Sequence, residues 1–238
     1  MLTSDTLFNG KLVVRQEKDG YRFSLDAVLL AGLTRVKPED RIVDLGTGCG
    51  IVPLILAYRK GAQKILGMEL QPDLARLAEQ NVEANGFADR IEIRRMDFRD
   101  VARHVQAQSF DLVTSNPPYR RLDTGKINPH PQKALARHEL TASIREVFAA
   151  GKHLLVQGGR LVAIYPAARM AHLLSAAQEH GFSPKELTIV YSHAGGAARL
   201  VCLESRKGGG EELLIRSPFY IYKENREYTE EMQAFYDD

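Results

Sequence analysis

Short apolar runs with strand character alternate with segments whose apolar residues recur at helical spacing. The strand-like runs are Arg41–Leu45, Lys64–Glu69, Arg90–Met96, Phe110–Ser115, Arg160–Tyr165, Glu186–Tyr191 and Arg199–Ser205. Helical spacing or breaker signals fill most gaps: Ile51–Lys60, Pro72 to the Asn85-Gly86 stop, a short polar helix over Asp100–Gln106, His138–Val156 stopped by Gly158-Gly159, and Met170–His180 ended by Gly181. This alternation predicts an α/β fold, a doubly wound, Rossmann-like, mostly parallel sheet of seven strands. The last two strands have no helix between them, which predicts an antiparallel edge hairpin. Ahead of this body, Lys11–Gln16 and Tyr21–Ser24 flank an Asp19-Gly20 turn and predict a β-hairpin. Ser24 then caps a helix with Asp26 in its first turn and Val28, Leu29, Ala31 and Leu33 on its apolar face. Residues 1–40 are therefore expected to form a hairpin and helix packed on a catalytic domain spanning 41–238. Leu213–Arg216 and Phe219–Tyr222 add β-like pieces before an acidic helical tail.

Composition narrows the class. A chain of 238 residues with 44% hydrophobic content can bury one sizeable core. The net charge of +2 does not mark the whole chain as a nucleic-acid binder, so any basic surface must be local. Cys49 and Cys202 have neither metal-ligand spacing nor a disulfide pattern, which points to a reducing compartment. The N-terminus lacks a signal-peptide pattern, and its longest apolar stretch, Ala27–Leu33, is too short to cross a bilayer. A cytoplasmic protein with no membrane association, no metal and no obligate protein partner is expected.

The chemistry lies at strand ends. Asp44-Leu45-Gly46-Thr47-Gly48-Cys49-Gly50 is a glycine-rich turn between the first parallel strand and its helix. Its glycines alternate, whereas a pyrophosphate-binding turn needs the Gly-x-Gly-x-x-Gly register. Asp44 would repel a pyrophosphate but suits an ammonium group. Glu69, ending the next strand, is placed to accept from two ribose hydroxyls, and Asp97, ending the third, from an adenine amino group. Asp44 and Glu69 are also accounted for as strand-end carboxylates capping the following helices. Together, in this order, they favour S-adenosylmethionine over a dinucleotide. Asn116-Pro117-Pro118-Tyr119 follows an apolar strand that the proline pair must end. The Asn116 side-chain oxygen and the Pro117 carbonyl are two acceptors suited to a planar amino group, and the Tyr119 ring suits stacking on that plane. The following loop carries Arg120, Arg121, Lys126, Lys133 and Arg137 against Asp123, a composition suited to RNA phosphates.

With these motifs in order, the chain resembles the class I S-adenosylmethionine-dependent methyltransferases of the NPPY type, and within them the bacterial valine-tRNA adenine N6-methyltransferase family. Asp44–Gly50, Glu69, Asp97, Asn116–Tyr119 and Tyr21–Ala31 carry the resemblance. It implies methyl transfer to the N6 of the anticodon-loop adenine 3′ of the anticodon, with S-adenosylhomocysteine as product. It further implies that Phe23 and Ser24 lie over the cofactor, and that Leu70 and Phe98 border it beside Glu69 and Asp97. An rRNA guanine N2-methyltransferase, a protein glutamine N5-methyltransferase and a non-catalytic RNA-binding module with this fold remain alternatives. The glutamine enzymes usually carry a longer helical segment before the glycine motif than the roughly 40 residues here.

Overall fold

The computed structural model describes residues 2–17, 25–117 and 142–237. The central sheet runs β8-β9-β7-β6-β3-β4-β5, from β8 (Phe182–Tyr191) and β9 (Ala198–Lys207) through β7 (Leu155–Pro166), β6 (Phe110–Ser115), β3 (Arg41–Leu45) and β4 (Lys64–Glu69) to β5 (Ile91–Arg95). The five strands from β7 to β5 are parallel, and β9 is antiparallel to both β7 and β8. The seven-stranded sheet with its antiparallel edge is therefore as the alternation predicts. Two short pieces, β10 (Leu214–Ile215) and β11 (Phe219–Tyr220), pair in parallel with β8 and raise the sheet to nine strands.

Period-two alternation divides the strand residues between two apolar layers. Ile42, Leu112, Val162, Ile164 and Cys202 face α1 (Leu25–Leu33) and α2 (Ile51–Arg59), while Leu77 and Val82 of α3 (Pro72–Ala84) join the same layer. Val43, Leu45, Val113, Leu161, Ala163 and Leu203 face the other way. There they meet α4 (Val101–His104), α5 (Ile144–Leu154) and α6 (Met170–Glu179). The chain ends in α7 (Glu230–Gln233), whose Met232 joins the first layer.

An antiparallel hairpin stands at the N-terminus, with a first strand that the sequence expectation does not include. β2 (Leu12–Glu17) pairs antiparallel with β1 (Leu2–Leu7), and the turn is Phe8-Asn9-Gly10, all three left-handed at φ 52, 54 and 85°. Asn and Gly tolerate that conformation, and Phe8 is held there by burial and by stacking on Tyr58 at 4.9 Å. The Asp19-Gly20 turn and the Tyr21–Ser24 arm lie outside the described residues. Asn81 of α3 and Asn85, which caps its C-terminus, dock the hairpin. Asn81 accepts from Arg15 N and donates to Arg15 O at 2.9 and 3.0 Å, and Asn85 does the same with Val13 at 2.9 and 2.7 Å.

α5 also starts and stops inside its expected span. Ser143 and Glu146 form a reciprocal capping box that fixes its start, and β7 begins pairing directly after Leu154. Residues 156–159 bulge out of the ladder between the Phe110–Leu155 and Leu112–Arg160 pairs, with Gly158 at φ 77°.

Candidate cofactor and acceptor site

The parallel strands β3, β4 and β6 place their carboxyl ends side by side, where open α/β sheets bind ligands. In register, Asp44 lies between Gly67 of β4 and Thr114 of β6. Its carboxylate is buried and accepts from Thr114 Oγ1 at 2.7 Å. Burial pushes the Asp44 carboxyl up to about 6; the hydroxyl bond opposes this and the Glu69 charge adds to it.

The glycine turn wraps over this carboxylate. Gly46, Gly48 and Gly50 adopt φ of 75, 59 and 85°, which other residues reach only with strain. Gly46 N and Thr47 N both donate to Met68 O at 2.9 Å, tying the turn to the end of β4. Gly48 N donates to Glu69 Oε2 and Gln71 N to Glu69 Oε1, each at 2.9 Å. One carboxylate thus bridges the glycine turn and the start of α3, and each oxygen keeps a lone pair for a ligand hydroxyl. Burial raises the Glu69 carboxyl above its ordinary value, against the backbone donors from Gln71 and Gly48. Cys49 is buried and its thiol is pushed up to about 11, so its role is packing; its carbonyl accepts from Asn81 Nδ2 at 2.9 Å.

Two buried side-chain oxygens have no hydrogen bond among the described residues: Thr47 Oγ1 and Asn116 Oδ1. Thr47 lies near enough to Asp44 to hold that carboxyl down slightly, yet no bond of normal geometry forms. A Cβ on Gly67 would sit 3.1 Å from Thr47 Cγ2 and 2.8 Å from Ile93 Cδ1, so a larger residue at this strand position would press Thr47 aside by a few tenths of an ångström and turn the end of Ile93. Asn116 follows directly on Ser115, whose hydroxyl donates to Leu45 O at 2.9 Å and pins the end of β6 to β3. Orphaned buried acceptors are rare in folded proteins and mark places where a ligand completes the bonding.

Asp97 follows the end of β5 and has a local partner. It caps a short 3-10 turn by accepting from Arg99 N, and the Arg99 guanidinium closes on both its oxygens at 2.6 to 2.9 Å. Burial alone would raise its carboxyl, but the Arg99 bonds and charge outweigh that and hold it below the ordinary value. Phe98 is buried beside it and Leu70 is half-buried after Glu69. Phe23, Ser24, Pro118, Tyr119, Arg120, Arg121, Lys126, Lys133 and Arg137 lie outside the described residues. Thr114, Gly67, Asn81 and Arg99 support the site without belonging to any of its motifs. Arg99 is the most accessible of them to sequence reasoning, since Asp-x-Arg after a strand is a capping pattern. Among the described residues no cluster of three or more His, Cys, Asp or Glu is arranged to hold a metal, and no helix is long and apolar enough to cross a membrane.

A parallel sheet with helices on both faces, an antiparallel edge strand and a glycine turn between two strand-end acids defines the class I methyltransferase architecture. Solved structures agree on the fold. A predicted O-methyltransferase from Agrobacterium tumefaciens superposes with a TM-score of 0.72 at 23% identity, covering 88% of this chain and 94% of its own. Geranyl diphosphate C-methyltransferase from Streptomyces coelicolor, solved with S-adenosyl-L-homocysteine, gives 0.52 at 14% identity over 76% and 77%. The methyltransferase small domain model matches residues 25–180. The tRNA1(Val) (adenine(37)-N6)-methyltransferase of Tolumonas auensis is 31% identical over 191 residues, 80% of this chain and 78% of the relative. That of Porphyromonas gingivalis is 31% identical over 83% and 78%, and that of Aeromonas salmonicida 29% over 94% and 93%. The chain belongs to the methyltransferase small domain family and, within it, to the tRNA1(Val) (adenine(37)-N6)-methyltransferases.

Proposed function

We propose that the chain transfers a methyl group from S-adenosylmethionine to the exocyclic N6 of the adenine at tRNA position 37, as the names of its relatives describe for them. The observation that carries the chemistry is the buried, unpartnered Asn116 Oδ1 at the end of β6, beside the glycine turn. S-adenosylmethionine, when bound, supplies a methyl group on a sulfonium, a leaving group that needs no metal. Asp44 holds the ammonium end of that ligand, Thr47 Oγ1 contributes a polar contact, and Glu69 accepts from the ribose. Asn116 Oδ1 and the Pro117 carbonyl accept the two N6 hydrogens. Those bonds draw the N6 lone pair out of conjugation with the purine and fix its direction. Alignment and exclusion of water then dominate, and the displaced proton leaves to solvent once N6 is alkylated. Tyr119 stacks on the base, and the basic loop after it holds the RNA backbone. The target is a loop nucleotide, which costs less to extrude than a base in a duplex. The enzyme acts in the cytoplasm, where tRNA is modified.

The test is methyl transfer from labelled S-adenosylmethionine to unmodified tRNA, with nucleoside analysis of the product. N6-methyladenosine that disappears with Asn116→Ala is the expected result. Transfer confined to rRNA or to a protein glutamine would overturn the substrate assignment while leaving fold and cofactor in place.

A further inference from the structure

A groove apart from the glycine turn lies near the carboxyl end of β8. It measures about 780 Å³ and is lined by His193, Tyr220, Tyr222, Lys223, Arg226 and Thr229, among others. Its place in the fold follows from the strand directions. β8 is antiparallel to β9, which is antiparallel to β7, so β8 runs parallel to β6 and ends at the same edge as Asn116. β11 pairs in parallel with Val190 and Tyr191 at that end of β8, and the chain then turns back through a tight hairpin closed by the Tyr222–Tyr228 bridge. Three strand spacings separate β6 from β8, about 14 Å. At about 3.4 Å per stacked nucleotide, that distance is covered by about four nucleotides of one strand.

The groove is built for a nucleic acid in two respects. Its aromatic wall is braced from behind. Tyr222 stacks on Tyr228 at 5.4 Å and 21°, and Tyr228 on Tyr236 at 5.5 Å and 7°, while Tyr220 meets Tyr191 at 5.6 Å. A ring already fixed by such a stack gives up little freedom when a base lies against it. Its rim carries two exposed cations, standing among the acids Glu224, Glu227 and Glu230. Lys223 and Arg226 sit on the exposed hairpin tip, and Arg199 adds a charge near Tyr222; Glu224 is the one acid in the lining. Among the described residues Arg226 and Arg199 form no ion pair, and Lys223 reaches only the exposed Glu230 at 3.8 Å. Arg226 is held in the left-handed region at φ 66°, with Arg226 N donating to Lys223 O and Lys223 N to Glu227 O. A non-glycine residue kept there by surrounding bonds has a fixed direction.

We infer that this groove is a second RNA contact, in which the backbone phosphates of nucleotides flanking the methylated base meet Lys223 and Arg226 and one unpaired base stacks on Tyr222 or Tyr220. The inference rests on the proposed RNA substrate and specifies where that substrate lies: across the carboxyl edge of the sheet toward β8.

The experiment compares the full chain with the double variant Lys223→Glu/Arg226→Glu, using an unmodified tRNA transcript over a salt series. Lys64→Glu, at the opposite edge of the sheet, serves as a charge control. The inference expects the double variant to bind the transcript at least about tenfold more weakly and its salt slope to fall by about two. The control should keep wild-type RNA affinity, and the double variant should keep wild-type affinity for S-adenosylhomocysteine, which shows that it is folded. Tyr222→Phe should bind as wild type and Tyr222→Ser more weakly. A double variant with wild-type RNA affinity and salt slope refutes the groove; a wild-type chain that neither binds nor methylates tRNA refutes the proposed function instead.

Discussion

Asp44→Asn separates the cost of the site from its use. The Asp44 carboxyl is buried and raised from 3.8 to about 6. The folded protein therefore holds this proton more tightly than the unfolded chain does. The stability that Asp44 contributes is complete below about pH 4 and is lost as pH rises through about 6. At about 1.4 kcal/mol per pH unit, the gap amounts to about 3 kcal/mol at neutral pH. Asparagine keeps an oxygen for Thr114, and its amide can donate to Thr47 Oγ1, which has no bond among the described residues. The variant without ligand should be more stable than wild type at pH 7 by about 1–3 kcal/mol, and the difference should vanish toward pH 4. Cofactor affinity should move the other way. Losing a charge-assisted contact of about 1.5–3 kcal/mol weakens binding roughly ten- to hundredfold. Urea denaturation from pH 4 to 8, with calorimetric titration of S-adenosylhomocysteine, reads both quantities. Taking the difference between variant and wild type removes most of the contribution of Glu69, which is raised as well. A stability difference that does not change with pH, or a variant less stable than wild type at pH 7, would refute the reasoning.

Other perturbations probe the neighbouring parts. Asn116→Ala should lower kcat about 10²–10³-fold in labelled methyl transfer, on the scale of losing one oriented polar contact in a transition state; a loss confined to KM would contradict its assigned role. Gly67→Ala should cost about 1–3 kcal/mol in thermal or urea unfolding and weaken cofactor binding, because its Cβ displaces Thr47 and Ile93. Arg99→Leu should return the Asp97 carboxyl toward its ordinary value, read by NMR titration. Because the pair is partly exposed, the stability loss should stay below about 1 kcal/mol at pH 7 and shrink further as Asp97 protonates in acid.

The sheet is legible in the sequence because each strand alternates between two buried layers and each helix carries its own stop signal. The buried strand-end acids Asp44 and Glu69 are legible for a related reason: a carboxylate at the end of a buried strand is costly to desolvate, so it stands there to meet a backbone donor or a ligand. What the sequence hides depends on partners distant along the chain. Thr114 matters only because parallel register sets it beside Asp44, 70 residues away. The Asn9-Gly10 turn goes unread because Leu2–Leu7 alternates too weakly to announce a strand before it. Asn85 reads as a helix stop, which it is, but its amide also binds β2. The Ser143-x-x-Glu146 capping box is readable in the sequence, and it starts α5 later than the apolar spacing after His138 suggests.

Asn81 decides where this chain can be cut. Its one amide group serves Arg15 N, Arg15 O and the Cys49 carbonyl, so the same side chain carries the N-terminal hairpin and the glycine turn. A fragment beginning at residue 41 would keep Asn81 at its post, fully buried in the intact chain, and remove two of its three partners. Anyone preparing a shortened version for crystallisation or for grafting onto another RNA-binding module would therefore loosen the glycine turn by trimming the far end of the molecule. Reinstating the strand as a separate peptide, Leu2 to Glu17 added in trans, is the economical way to restore it.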